Sequence, residues 1–376
     1  MQIKTLGFPK IHNFPGDVRD FTPNLFEYLK KYKGVAVYLE QGYGEELGYS
    51  SEDYLAKHPS LNFVPLQEVY QQDMIVILKD PELKNLKLMK DFSALFTMIH
   101  YDTRPANVEL ICKKNLKSFS MDAIVDDNGL RMFVDYFGTA YAGCEISFEI
   151  LKKIRPDFYS TARNPFVATI LGAGGAAQAC VRAFEMLSDR DFLQNRVPGI
   201  ISQNITRSIT ANHDNLKAVL AETDILVDAT KRINLSIPII SNDILGSLPQ
   251  TAVIVDLAAD RYDVNVNPPI VRAIEGTVKG SPNHKVIYPD DKLYEQVPAS
   301  IETKNRRITI SCDAWPSVNP DRSLKYYEIL MKNYLNVLLN KDIEALDAES
   351  DDIFERGLYR SSIAYFLSNS KNVCQR

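Results

Sequence analysis

The sequence predicts an α/β protein of two Rossmann-like domains, each built on a parallel sheet. Three observations lead there. Short apolar runs rich in β-branched residues alternate with amphipathic segments of helical period. The alternation comes in two series, with the second beginning near Phe166. The length, 376 residues, exceeds what a single hydrophobic core usually organises.

In chain order, the first series supplies strands in "GVAVYLE", "DMIVILK" and "SALFTMI". Between the first strands and the start of the chain, "TPNLFEYLKKY" reads as a helix, with Thr22 as N-cap and Pro23 at the first helical position, where a missing N–H costs nothing. Pro105 opens another helix in "DTRPANVELICKK". The join between the series falls in "DYFGTAYAGCEISFEILKKI", whose second half reads as a long connecting helix. The second series has strands in "FVATILGAGG", "PGIIS", "DILVDAT", "TAVIVDLAA" and "RITISCD". After Pro320 the period turns helical: Leu324, Tyr327, Met331, Leu335 and Leu338 recur at intervals of three and four and form one apolar face. "DDIFERGLYRSSIAYFLS" is helical too. These C-terminal helices are expected to return to the first domain. Residues 1–134 with 320–376 then form one domain and 135–319 the other, with a cleft between them. There is no internal repeat and no low-complexity segment.

Hydrophobic residues make up 45% and charged residues 24%, with a formal net charge of -5. That balance is ordinary for a globular chain and offers no basic surface for nucleic acid. The opening "MQIKTLGFPKIHNFPG" lacks an apolar core and is broken by Pro9 and Pro15, which reads against a secretion signal. No apolar run approaches the ~20 residues that span a bilayer. Cys112, Cys144, Cys180, Cys312 and Cys374 are scattered, with no CxxC pair, and read as buried thiols in a reducing compartment, neither a disulfide framework nor a metal site. A cytoplasmic location is expected, with no membrane and no nucleic-acid partner. The sequence does not specify an oligomeric state.

The most specific local signal is "ATILGAGGAAQACVRAFEML". A strand runs into Gly172, Ala173, Gly174, Gly175, Ala176 and Ala177 and then directly into a helix, whose buried face is marked by Ala176, Ala179, Cys180, Ala183, Phe184 and Leu187. In this G-x-G-x-x-A pattern the first glycine allows a tight turn, the second lets a pyrophosphate approach the backbone, and the alanine lets helix and strand pack closely. The helix start adds unpaired N–H groups and partial positive charge. The pattern predicts a Rossmann-like domain that binds a dinucleotide, although glycines also serve tight turns for steric reasons alone.

The strand after a dinucleotide turn normally ends in an acid that binds the ribose hydroxyls of NAD. "VPGIISQNITRS" instead offers Ser202, Gln203 and Asn204, with Arg207 beyond. Loss of the carboxylate removes repulsion against a 2′-phosphate, and an arginine can bind one, so the cofactor is NADP or NAD with a slight lean to NADP. The plain alternative for Arg207 is a solvated surface charge.

Three ionisable residues stand at strand ends, where open α/β sheets present ligand-binding groups. Lys79 ends "MIVILKDP", His100 ends "ALFTMIH", and Asp260 follows "AVIVDLAAD". Singly, each has a bland reading: a solvated lysine, a satisfied core histidine, a helix-capping aspartate. Together, across a cleft, they suit proton transfer beside a nicotinamide.

Several short pieces recur in one order: "GFPK", Arg19 with Thr22-Pro23, "LKDPE", "LFTMIH", "LGAGGAA" and "AVIVDLAAD". In these the chain resembles the superfamily of alanine dehydrogenase, the nucleotide-binding part of proton-translocating transhydrogenase, and lysine-forming saccharopine dehydrogenase. "DDNGLRMFVDYFGTAYAG" and "ISCDAWPSVNPDRS" are most similar to saccharopine dehydrogenase. The resemblance implies that Lys79 and His100 are the acid–base pair, that Arg19, Arg131 and Asp313 bind substrate, and that Asp260 lies near the nicotinamide. The chain departs from that pattern in its missing ribose acid, in the spacing from Arg19 to Thr22-Pro23, and in the "YDT" after His100, where Asp102 or Thr103 stands near the place of a lysine.

The implied activity is NAD(P)-dependent oxidation at the C–N bond of an amino acid or N-carboxyalkyl amino acid, run forwards or as reductive amination. Two other readings remain: deamination of a simple amino acid, as in alanine dehydrogenase, and a dinucleotide-binding protein without turnover. A complete transhydrogenase is not expected, because no membrane segment is present.

Overall fold

A computed structural model describes residues 1–12, 16–232 and 234–369. Pro15 and Cys374 lie outside the described residues. The chain forms two compact units, Met1–Asp135 together with the chain from Pro320 onward, and Tyr136–Asn319.

In the first unit, strands β1 (Thr5–Phe8), β2 (Ala36–Glu40), β3 (Asn62–Val64), β4 (Met74–Ile77), β5 (Ala94–Thr97) and β6 (Lys117–Ser120) make one parallel sheet. Its order is β3-β2-β1-β4-β5-β6, so the chain winds outward from β1 and then reverses, with β1 and β4 side by side. β4 and β5 are buried throughout, which is why they read as continuous apolar runs. β1 and β6 lack that pattern for local reasons. A Cβ on Gly7 would lie 2.2 Å from the Val69 carbonyl oxygen, so β1 needs a glycine in its middle. β6 is "KSFS", whose buried serines look like surface residues on paper.

The helix Pro23–Leu29 starts as its sequence signals: the Thr22 side chain accepts from the Asn24 N–H, and Pro23 occupies the first turn. The helix Pro320–Asn340 buries Leu324, Tyr327, Met331, Leu335 and Leu338 in the same core as Leu6, Val76 and Phe96. The C-terminal helices therefore return to the first unit, and the three-and-four spacing identified the buried face.

In the second unit, β7 (Phe166–Leu171), β8 (Ile200–Ile205), β9 (Ile225–Asp228), β10 (Val253–Asp256) and β12 (Ile308–Ser311) are parallel, and the short β11 (Val286–Ile287) pairs antiparallel with β12. The order is β11-β12-β10-β9-β7-β8, with the reversal between β7 and β9. The long helix spans Tyr136–Ile154 and so fills the expected joining stretch after Asp135, glycines included. Gly143 serves close packing, since a Cβ there would sit 2.8 Å from the side chains of Val255 and Leu257.

The helix Gly175–Ser188 buries Ala177, Cys180, Ala183, Phe184 and Leu187, whereas Ala176 and Ala179 lie at the edge of that face. Cys144, Cys180 and Cys312 are buried, but Cys112 is exposed, because it falls on the outer side of the helix Pro105–Lys113. Among the described residues there is no disulfide and no cluster suited to a metal ion. No described helix is long and apolar enough to cross a membrane.

Leu335 is fully buried and ties the C-terminal helix to the first sheet. Leu335→Ala is expected to destabilise the first unit by about 2–5 kcal/mol, the usual cost of a leucine-sized cavity. Urea unfolding followed by circular dichroism measures it.

Candidate active site

Open α/β sheets bind ligands outside the carboxyl ends of their strands, where the strand order reverses. In the first unit that place lies beyond β1 and β4, and three charged side chains meet there. Lys79 stands just past β4. Arg19 reaches the same place from the loop after β1. Between them is Asp17, whose side chain is 1% exposed. Arg19 Nε donates to Asp17 Oδ1 at 2.7 Å, and Lys79 Nζ donates to Asp17 Oδ2. Arg19 Nη1 also donates to the Leu78 carbonyl oxygen at 3.3 Å. Burial pushes the Asp17 carboxyl up, but the charges of Arg19 and Lys79 outweigh it and hold the group below its ordinary value. Asp17 is thus a buried carboxylate that fixes two cations.

β5 lies beside β4 with Ile77 opposite Thr97, so Lys79 and His100 leave neighbouring strand ends. Thr97 Oγ1 donates to the Lys79 carbonyl oxygen at 2.9 Å and ties the two together. Met98 and Ile99 stay buried, and the chain then turns His100 outward with φ at 52°. That left-handed conformation is uncommon outside glycine and recurs at functional sites. The ring is half exposed, with Nδ1 3.1 Å from Asp122 Oδ2. Asp122 also accepts from the His100 N–H at 3.2 Å and from Ser120 Oγ at 2.6 Å. Burial raises the Asp122 carboxyl, yet its hydrogen bond and attraction to His100, with the Ser120 bond, bring it down to about 2. A carboxylate that orients one ring nitrogen while the other remains available is the usual arrangement for an acid–base histidine.

Arg131 stands where residues 125 and 131 bridge across the turn that contains Gly129. Its Nε is buried without a hydrogen-bond partner among the described residues. Arg19 and Arg131 both lie close enough to Tyr327 for their charges to draw its phenol down against the burial that raises it. Tyr327 comes from the helix Pro320–Asn340 and stacks on Phe133 at 5.4 Å. The C-terminal helix therefore contributes to the same site as the N-terminal loop.

In the second unit the reversal lies at the glycine turn. Gly172 has φ +108°, and a Cβ there would sit 3.1 Å from the Ala229 carbonyl oxygen beyond β9. A Cβ on Gly175 would meet the Tyr136 ring at 2.6 Å. A Cβ on Gly174 would meet nothing within 4 Å. Gly172 and Gly175 are thus required by the protein's own packing, whereas Gly174 borders open space. Ala173 is exposed, Ala176 is half-buried and Ala177 is fully buried against the strand. Open space at the second glycine, at the reversal and before a 14-residue helix, fits a bound pyrophosphate.

Asp260 is held by arginines. Arg232 Nη2 donates to Asp260 Oδ2 at 2.6 Å, and Arg272 donates to both the Asp260 carbonyl oxygen and the Asp256 carboxylate. Asp313 pairs with Lys279 at 3.4 Å. β8 continues to Ile205, further than "PGIIS" suggested, so Gln203 and Asn204 lie within the strand. Gln203 Nε2 donates to Thr169 Oγ1 and Asn204 Nδ2 to the Gly172 carbonyl oxygen, each at 2.9 Å. Their amides support the sheet and the turn, and the strand-end position passes to Thr206. Arg207 is exposed just after it.

The fold thus gathers Lys79, Arg19 and His100 at neighbouring strand ends of the first unit, with Arg131 linked to them through Tyr327. Asp260, Asp313 and the glycine turn belong to the second unit. Asp17, Asp122 and Tyr327 were not singled out as site residues from the sequence. Asp17 and Asp122 are isolated acids whose importance comes from what folds over them, and Tyr327 read simply as one more core position on a helix face.

Residues 20–137 match the family model described as alanine dehydrogenase/PNT, N-terminal domain. The match takes in Lys79, His100 and Arg131 and begins just after Arg19. It covers most of the N-terminal part of the first unit. No curated protein matches the sequence. Among solved structures, an L-alanine dehydrogenase superposes with a TM-score of 0.65 at 16% identity, over 95% of this chain and 94% of that one. A transhydrogenase from Sinorhizobium meliloti gives 0.62 at 12% identity, over 95% and 97%. At these identities the shared property is the fold, two Rossmann-like units in one chain.

The Asp122 carboxyl ionises at about 2 in the folded protein against an ordinary value of 3.8. Its stabilising contribution is therefore complete above about pH 4 and disappears as the pH falls towards 2. The stability advantage of the wild type over Asp122→Asn should shrink as the pH falls below about 4 and be nearly lost by about 2, as read from denaturant midpoints across pH.

Proposed function

We propose that this protein is an NAD(P)-dependent oxidoreductase acting on the C–N bond of an amino acid or N-carboxyalkyl amino acid. The observation that carries the reading is the strand-end set of the first unit: Arg19 and Lys79 fixed by the buried Asp17, beside a histidine oriented by Asp122. Substrate carboxylates would pair with Arg19 and with Arg131, guanidinium groups suited to two parallel hydrogen bonds. The turn Gly172–Ala176 would hold the pyrophosphate of a nicotinamide dinucleotide, which supplies the hydride acceptor.

The proton chemistry falls to this chain's own residues. With a nicotinamide bound as acceptor, the carbon that bears the amine would give up a hydride and its nitrogen a proton, leaving an imine. Water then adds to the imine carbon, and the C–N bond of the carbinolamine breaks to give a carbonyl compound and an amine. Lys79 and His100 would remove the proton from the attacking water and deliver one to the departing nitrogen. Asp17 keeps Lys79 and Arg19 in fixed positions, and Asp122 holds the His100 ring. Asp260, near the nicotinamide by resemblance, would be kept in place by Arg232.

Two arginines around Tyr327 favour a substrate with more than one carboxylate, as in an N-carboxyalkyl amino acid. Deamination of a simple amino acid is the second reading, supported by the family match over residues 20–137. An absorbance screen of both nicotinamide cofactors against simple amino acids, keto acids and N-carboxyalkyl amino acids separates them. It also separates both from a protein that binds a dinucleotide without turning over substrate.

Lys79→Met and His100→Gln should each lower turnover by roughly 10²-fold or more with the fold intact, the scale of a general acid–base group. Near-native turnover in both variants at saturating substrate would remove them from the mechanism. Gly174→Val points into open space and should leave the thermal transition nearly unchanged while cofactor binding is lost. Unchanged dinucleotide titration of that variant would show that the nucleotide binds elsewhere.

A further inference from the structure

β8 ends at Ile205, which is in register with Leu171 at the end of β7. The Gly172 N–H donates to the Ile205 carbonyl oxygen at 3.0 Å, so the next residues leave the sheet directly beside the glycine turn. In a sheet that binds a dinucleotide this is where the adenosine ribose is read. A carboxylate there accepts hydrogen bonds from the ribose hydroxyls and repels an added phosphate, whereas an arginine receives that phosphate.

The residues at this place are Thr206, Arg207 and Ser208, and all three are exposed. No acidic residue occurs from Ser202 to His213. Gln203 and Asn204, the nearest polar side chains, are engaged by Thr169 and Gly172 and do not occupy the strand end. The Thr206 hydroxyl makes no cap to the short helix that follows and instead lies 3.1 Å from the Ser208 hydroxyl. Two neighbouring hydroxyls, with an exposed arginine between them in the chain, thus follow the strand that lies beside the glycine turn, and no carboxylate is among them.

We propose that Thr206, Arg207 and Ser208 form the subsite for the 2′-phosphate of the dinucleotide, which makes the cofactor NADP. The proposal rests on the dinucleotide reading of the glycine turn. The Arg207 guanidinium donates paired hydrogen bonds to phosphate oxygens, and the hydroxyls donate to the same group. The residues that select the cofactor are therefore those just past β8, and Gln203 has no part in the choice.

The test is equilibrium titration, by nucleotide fluorescence or calorimetry, with NADPH, NADH, 2′,5′-ADP and 5′-AMP and without substrate. The wild type should bind NADPH and 2′,5′-ADP roughly 10-fold or more tightly than NADH and 5′-AMP, as a charge-assisted contact implies. Arg207→Ala should abolish that preference and leave NADH affinity unchanged. Thr206→Asp should reverse it. A wild type that binds NADH as well as NADPH, or an Arg207→Ala variant that loses both equally, overturns the phosphate subsite and leaves the dinucleotide reading standing. A wild type that binds none of the four probes overturns the dinucleotide reading, and this proposal falls with it.

Discussion

Asp17 has almost no contact with solvent, yet it stays ionised, because Arg19 and Lys79 both donate to it. A buried carboxylate is tolerable only with such partners, and with two of them Asp17 stays paired when one is replaced. The constraint also works in the other direction. Two long, flexible cationic side chains, one from the loop after β1 and one from the end of β4, are pinned to one point at the reversal of the first sheet. The site thereby gains two positioned cations from residues far apart in sequence, and the reversal of strand order keeps β1 and β4 adjacent so that they can meet.

The same topological device appears in the second unit with different chemistry. There the reversal lies between β7 and β9, and the place is occupied by glycines. Gly172 turns the chain in a conformation other residues avoid, Gly175 clears the ring of Tyr136, and Gly174 faces open space. In one unit the strand ends hold charged side chains. In the other they leave backbone N–H groups and room. The first arrangement suits carboxylates and protons, and the second suits a pyrophosphate.

Positioning groups recur around the residues that would do chemistry. Asp122 holds His100 by its ring and by its backbone, while the chain itself is twisted into a left-handed conformation at that point. Arg232 and Arg272 fasten Asp260. Tyr327 comes back from the C-terminal helix to lie near Arg19 and Arg131, so the packing of the terminal helix against the first sheet bears directly on the site.

Local chemistry alone determined the α/β class, the glycine turn, the capped start at Thr22-Pro23 and the buried face of the helix Pro320–Asn340. In each case the signal is periodic or confined to a few consecutive residues, and so it survives in one dimension. β1 and β6 were hidden, the first by the glycine its packing demands and the second by buried serines. The extent of β8 was set by pairing with β7 rather than by its own apolar content, which moved the strand end from Gln203 to Thr206. Asp17 and Asp122 carry no signature at all: an aspartate looks the same on paper whether it lies in solvent or under two cations. Only the tertiary structure decides that, because burial and long-range pairing are properties of what the chain brings together, not of the residue itself.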